Sequence, residues 1–152
     1  MPNWEAEAAR IVEEFLDASM IPDPDRARTY MARDVRITFT GGRRFSDPSG
    51  STGFNAKRYA WGKKRFERTD VVAGATAKEA IVYNTGTLYG AWPDGTPFEG
   101  NRYVDRFVVS DGKIVRMDVW NDSAEIVLAR AGLAEDGGDT VPAARKPGAS
   151  AA

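Results

Sequence analysis

Residues 102–120 place the tightest constraint on the fold. Two alternating runs, Arg102–Val109 and Lys113–Trp120, flank Ser110-Asp111-Gly112, and both runs carry apolar side chains on both faces. Asp and Gly tolerate the backbone that a tight hairpin turn needs, so the two runs are expected to pair as antiparallel strands. In the first run Val104 and Val108 share one face, while Tyr103, Asp105 and Phe107 share the other. In the second, Val115, Met117 and Val119 oppose Ile114, Arg116, Asp118 and Trp120. A sheet that is apolar on both sides has to be covered on both sides. Helices can cover one face; a second copy of the chain is expected to cover the other, giving a homodimer through the sheet.

The rest of the chain supplies those helices and further strands. Ala8, Ile11, Val12, Phe15, Leu16 and Met20 recur at helical spacing, which predicts a helix over 3–20 that Pro22 stops. Asp23-Pro24-Asp25 reads as the capped start of a second short helix running through Tyr30 and Met31. Val35–Thr40 alternates as a strand until Gly41-Gly42 breaks it, Asp47–Ser51 reads as loop, and Phe54–Lys64 as a third helix. Strands are then expected over Glu67–Ala75 and Lys78–Trp92, with Pro93-Asp94-Gly95-Thr96-Pro97 as a turn. Ser123–Ala131 closes as a helix with Gly132 as its cap. The order of elements is α+β. One domain over residues 1–132 is expected, with a disordered tail over 133–152 made largely of Gly, Ala, Pro and charge.

Composition narrows the chemistry. The 152 residues contain no histidine and no cysteine. Serine–histidine and cysteine–histidine machinery, thiolate metal sites and the usual neutral-pH proton shuttle are thereby excluded. Acid–base work falls to Asp, Glu, Tyr or Lys. Twenty-one basic residues stand against 22 acidic ones, a net charge of -1, without the basic excess that a nucleic-acid surface needs. The one strongly basic stretch, Lys57, Arg58, Lys63, Lys64, Arg65 and Arg68, reads as a solvated helix face. The first ten residues are acidic and amphipathic, unlike a secretory signal, and no run approaches membrane-spanning length. A cytoplasmic protein with no membrane partner is expected. No carboxylate spacing points to a metal.

The run from Asn101 to Trp120 resembles the final hairpin of the SnoaL-like, or nuclear-transport-factor-2-like, superfamily. The segment around Asp23-Pro24-Asp25 and the strand entry Ala32-Arg33-Asp34-Val35 fit the same pattern, and the similarity spans roughly residues 5–132. The resemblance implies a cystatin-like curved antiparallel sheet with three N-terminal helices enclosing a cone-shaped pocket, commonly in a dimer. It extends to ketosteroid isomerase and to phenazine-biosynthesis proteins in the last hairpin. Carried over residue by residue, the isomerase's catalytic base falls on Phe39 and its helix tyrosine on Phe15. Its oxyanion-hole aspartic acid falls on Asp105 and the tyrosine that buttresses it on Tyr59. The water-holding residues of the epoxide-hydrolase relatives fall on Thr85, Thr87 and Val119, and the acidic position of the phenazine-type proteins also falls on Val119. Dehydratase relatives pair an aspartate near Asp23 with a histidine that this chain lacks. Each familiar mechanism has lost at least one indispensable group.

What remains is a pocket with few polar groups. Substrate-contacting positions are expected at Phe15, Met20, Phe39, Tyr83, Thr85, Thr87, Phe107, Met117, Val119 and Asn121. Asp105, assisted by Tyr103 and Tyr59, is the candidate catalytic group, because a desolvated carboxyl can serve as a neutral hydrogen-bond donor or as a base. The expectation is a cofactor-free isomerase, dehydratase or cyclase acting on a small apolar carbonyl compound. The alternative is a non-catalytic ligand-binding domain that uses the same pocket.

Overall fold

The computed structural model describes residues 3–134. The expected C-terminal tail lies outside the described residues except for Leu133 and Ala134. Helix α1 (Asn3–Met20) turns Ala8, Ile11, Val12, Phe15, Leu16 and Ala18 inward, the stripe that a core-facing helix requires. Helix α2 (Pro24–Arg28) is capped by Asp23, whose carboxylate accepts the Arg26 amide at 3.1 Å. The helix ends earlier than its sequence pattern implied. Met31 already belongs to strand β1 (Met31–Phe39), which starts four residues ahead of the expected Val35.

A short 3-10 turn (Thr40–Gly42) leads into β2 (Arg43–Phe45), and helix α3 follows over Pro48–Arg58. The supposed Asp47–Ser51 loop is therefore the start of a helix. Asp47 caps it by accepting the Ser49 amide at 2.8 Å, and Arg28 of α2 grips the same carboxylate at 2.6 and 2.8 Å. Those donors hold the Asp47 carboxyl well below the usual carboxylate range. The long strands are β3 (Trp61–Ala73), β4 (Glu79–Ala91), β5 (Pro97–Ser110) and β6 (Lys113–Asn121), followed by α4 (Ser123–Arg130). Residues 61–64 were expected to end the third helix; they open β3 instead. Trp61 pairs with Ala91 and Lys64 with Leu88.

The six strands form one curved, unclosed sheet in the order β2-β1-β6-β5-β4-β3. All neighbours are antiparallel except β1 and β6, which run parallel, so the sheet is mixed rather than purely antiparallel. The register stacks inward-facing residues in rows. Val82, Phe107, Met117 and Ile37 lie side by side across four strands, and Phe107 meets Phe15 of α1 edge-on at 5.8 Å between ring centroids. This row and α1 form the main core. Above it, Asn84, Asp105 and Val119 form the next row, then Gly86, Tyr103 and Asn121. Among the described residues no helix is long and apolar enough to cross a membrane.

Gly86 permits a close approach of neighbouring strands. A Cβ at that position would overlap the Arg65 carbonyl oxygen on β3, beside the bulge between Phe66 and Arg68. Backbone cannot yield as a flexible side chain can. Gly86→Ala is expected to lower the unfolding free energy by about 3 kcal/mol. Gly53→Ala, at an α3 position with open space around it, should raise stability by about 0.5–1 kcal/mol through helix propensity. Urea unfolding of the two variants checks both signs; equal effects would mean that β3 can shift freely on β4.

Candidate active site

The rows above the core open into a cavity of about 330 Å³ between the concave face of the sheet, the C-terminal end of α1 and helix α3. Aromatic and aliphatic side chains form most of its wall, including Phe15, Met20, Phe39, Met117 and Val119. At one side Phe39, Phe45 and Phe54 pack against one another with centroids 5.6–6.2 Å apart. At the other, Tyr59 stacks on Trp92 at 5.6 Å, and Phe98 completes a second small core with Ile126 and Ala129.

Asp105 lies in the middle row, wholly buried at 0% exposure. Its Oδ2 accepts a hydrogen bond from Lys64 Nζ, forming an ion pair between β5 and β3. Its Oδ1 has no hydrogen-bond partner among the described residues. The Lys64 side chain retains 16% exposure, toward the cavity that it helps to line. Its ammonium lies 4.2 Å from the centroid of the Tyr103 ring, a favourable placement for a cation over an aromatic face. At the other end of the residue the Lys64 backbone amide donates to Met20 Sδ at 3.2 Å, tying β3 to the end of α1.

Burial pushes the Asp105 carboxyl above its ordinary range, because a dry site disfavours the anion. The charge of Lys64 and its hydrogen bond oppose that rise without cancelling it. Burial, followed by the nearby Asp105 charge, also raises the Tyr103 phenol.

The structure brings most of the expected site residues together. Phe15, Met20, Phe39, Tyr59, Tyr103, Asp105, Met117, Val119 and Asn121 all line the cavity. Four do not. Tyr83, Thr85 and Thr87 point to the convex face, because Asn84 pairs with Asp105 and Gly86 with Tyr103 and these take the inward positions. A one-residue difference in register exchanges the faces of a strand, and β4 carries apolar residues on both. Phe107 faces inward but lies in the core beneath the cavity, fully buried against Phe15.

Both candidate tyrosine hydroxyls are already engaged. Tyr103 donates to Asn84 Oδ1 at 2.6 Å, and Asn84 in turn donates to Thr69 Oγ1 at 3.0 Å. The Tyr59 hydroxyl shares a hydrogen bond of 2.7 Å with Ser123 Oγ, which accepts another from Asn101 Nδ2 at 3.3 Å. Asn121 accepts the Ser123 amide at 3.1 Å. Asp118 faces away from the cavity and pairs with Arg116 at 2.8 Å, as its parity implied.

Sequence reasoning missed Lys64, the partner of Asp105. It was assigned to a helix, where the lysines and arginines of 57–68 read as one solvated face. The signal lay in Tyr59-Ala60-Trp61-Gly62, since aromatic residues followed by Gly suit the start of a strand better than a helix interior. Alternation from Trp61 then puts Lys64 on the same face as Gly62, opposite Lys63 and Arg65.

A curved sheet wrapped with helices around one cavity, with a buried ionisable pair in its floor, defines a cone-shaped α+β pocket protein. The chain belongs to the SnoaL-like domain family, whose model matches residues 12–117. Solved structures share the fold at low identity. A candidate SnoaL-like polyketide cyclase from Jannaschia Sp. CCS1 superposes with a TM-score of 0.63 at 18% identity, covering 82% of this chain and 91% of that one. An NTF2-like protein of unknown function from Burkholderia pseudomallei K96243 gives 0.62 at 16%, over 80% and 95%. A candidate ketosteroid isomerase from Shewanella frigidimarina NCIMB 400 gives 0.60 at 17%, over 75% and 94%. No curated protein sequence matches.

Stability should report the Asp105–Lys64 pair through pH. A carboxyl whose folded value lies above its unfolded value favours folding fully below the unfolded value, and that support is lost as pH rises through the folded value. Lys64→Met removes the influence that restrains the rise, so the loss extends to higher pH. We expect Lys64→Met to be about 3 kcal/mol less stable than wild type at neutral pH, as when a buried pair loses one partner. The gap should close as pH falls to the ordinary aspartate range, and Lys64→Met combined with Asp105→Asn should remove the Asp105 part of the pH dependence, leaving that of the other carboxylates such as Asp47. Urea unfolding across pH measures this; a pH-independent loss would show that Asp105 does not carry the effect.

Proposed function

We propose that this chain is an enzyme of the isomerase, dehydratase or cyclase type that works without a cofactor on an apolar, carbonyl-bearing metabolite. The observation that supports it is one buried carboxyl group lining the cavity, with one oxygen held by Lys64 and the other without a hydrogen-bond partner among the described residues. Asp105, which lines the cavity, would take a proton from a carbon next to the substrate carbonyl. Lys64 can donate a hydrogen bond to the carbonyl oxygen as negative charge develops on it. A cation fixed beforehand in a water-poor site stabilises such an oxyanion more than water does. Returning the proton at a second carbon isomerises the substrate; expelling a hydroxyl dehydrates it. Phe15, Met20, Phe39, Met117, Val119 and Asn121 would contact the substrate, while Tyr59 and Tyr103 shape the walls and hold the floor.

A second reading, a ligand-binding domain without catalysis, draws on a specific observation. The hydroxyls of Tyr59 and Tyr103, expected as catalytic donors, are hydrogen-bonded within the protein, Tyr103 donating to Asn84 and Tyr59 paired with Ser123. Native mass spectrometry against pooled carbonyl and aromatic metabolites separates the two readings. Under the enzyme reading, wild type releases a chemically changed ligand, and Asp105→Asn binds it but turns it over about 10²- to 10⁴-fold more slowly. Release of unchanged ligand by both forms would establish the binding domain.

The convex face supports a second proposal, a homodimer. Val104 and Trp120 are paired across β5 and β6 and expose 38% and 55% of their surfaces. Arg102, Arg106 and Arg116 surround them together with Asp118 and Asp122. Both signs of charge occur around one apolar centre, so the patch can complement itself about a two-fold axis. Light scattering should give a dimer for wild type and a monomer for Trp120→Glu; a monomeric wild type would remove the proposal.

A further inference from the structure

We propose that Lys64 is a nucleophile that forms a covalent imine with a carbonyl ligand in the cavity. The inference rests on the reading of the cavity as a site for carbonyl compounds and adds a bond to it. Three observations carry it. Lys64 lines the cavity from a strand, so its stem is fixed at the backbone, where its amide is bound to Met20 Sδ. The amine is in direct contact with a wholly buried carboxyl group. The other lysine on the cavity wall, Lys63, is an exposed residue and has no such acid beside it.

An amine attacks a carbonyl only when neutral, and the carbinolamine loses water only when an acid protonates its hydroxyl. The Lys64–Asp105 pair can provide both. Transfer of one proton from Lys64 to Asp105 would convert ammonium and carboxylate into amine and carboxylic acid. Desolvation penalises the charged form, and the raised Asp105 carboxyl follows from the same cause.

In the neutral form the Nζ lone pair bonds to the carbonyl carbon, and the carbonyl π pair moves to oxygen. Asp105 gives its proton to that oxygen and takes one back from nitrogen, leaving a neutral carbinolamine. It then protonates the hydroxyl, the C–O bond breaks, and water leaves. The sum is carbonyl, amine and carboxylic acid going to iminium, carboxylate and water, with atoms and charge balanced. The iminium replaces the ammonium over the Tyr103 ring, where a cation is already accommodated. An iminium also withdraws electrons from the adjacent carbon more strongly than the parent carbonyl does, which serves the proton abstraction assigned to Asp105.

Benzaldehyde with sodium cyanoborohydride tests the bond, since reduction traps any imine as a stable benzyl amine that peptide mapping locates. At a fixed neutral pH, wild type should label at Lys64 at least about tenfold faster than at its other lysines. Lys64→Arg, which keeps the charge opposite Asp105, should lose that adduct while remaining folded by circular dichroism. Asp105→Asn should label at Lys64 about tenfold or more slowly. Equal labelling of all lysines, or none at Lys64, overturns the proposal. Quenching of intrinsic fluorescence by benzaldehyde without the reductant separates the two levels. Saturable binding with Lys64 unlabelled leaves the carbonyl-site reading standing and removes the imine; no saturable binding and no labelling removes both.

Discussion

The ion pair between Lys64 and Asp105 is the interaction on which the arrangement of this cavity depends. It joins β3 to β5 across the intervening β4, so the concave face is closed by a side chain reaching over a strand. That reach depends on Gly86, which stands opposite Phe66 on β3 and Tyr103 on β5. A side chain there would meet the β3 backbone. The bulge in β3, the glycine in β4 and the carboxylate in β5 are parts of one local solution.

An isolated carboxylate cannot be placed in a dry core without a large penalty. The neighbours of Asp105 show how the penalty is limited. Oδ2 has a cation, and the cation has an aromatic face. Tyr103, which provides that face, is itself held by Asn84, and Asn84 by Thr69. The chain of contacts runs from the cavity floor to β3. Among the described residues Oδ1 has no hydrogen-bond partner although it is buried, and an unpaired buried acceptor carries a desolvation cost.

Much of the fold was legible because its signals were local and redundant. α1 combined a stopped helical stripe with a following capped turn, and the β5–β6 hairpin combined alternation with Asp111-Gly112. Asp105 was legible because a lone carboxylate alternates with Tyr103 and Phe107 on one face. The parity of β4 was not, since Ile81, Val82 and Tyr83 present apolar groups to both sides; only pairing with β5 decides it. Lys64 was hidden for a different reason. A basic run reads as solvated whether it lies on a helix or a strand, and what turns one lysine inward is an acid forty-one positions later in the chain. No local pattern contains that information.

The saturated tyrosines bear on how chemistry could occur here at all. A site that relies on neutral hydroxyl donors needs them free, and Tyr59 and Tyr103 are bonded to Ser123 and Asn84. Freeing either would take one hydrogen-bond partner from the buried Ser123 or Asn84, at a cost of about 1–3 kcal/mol, comparable to what a single donor would return. Lys64 is under no such restriction. An ammonium has three donors, one of which engages Asp105 Oδ2, so a ligand oxygen can be bound without breaking the pair. Lys64 is therefore a donor that a ligand oxygen can use with both tyrosine hydroxyls still engaged, and it sits beside a carboxyl group able to exchange a proton with it.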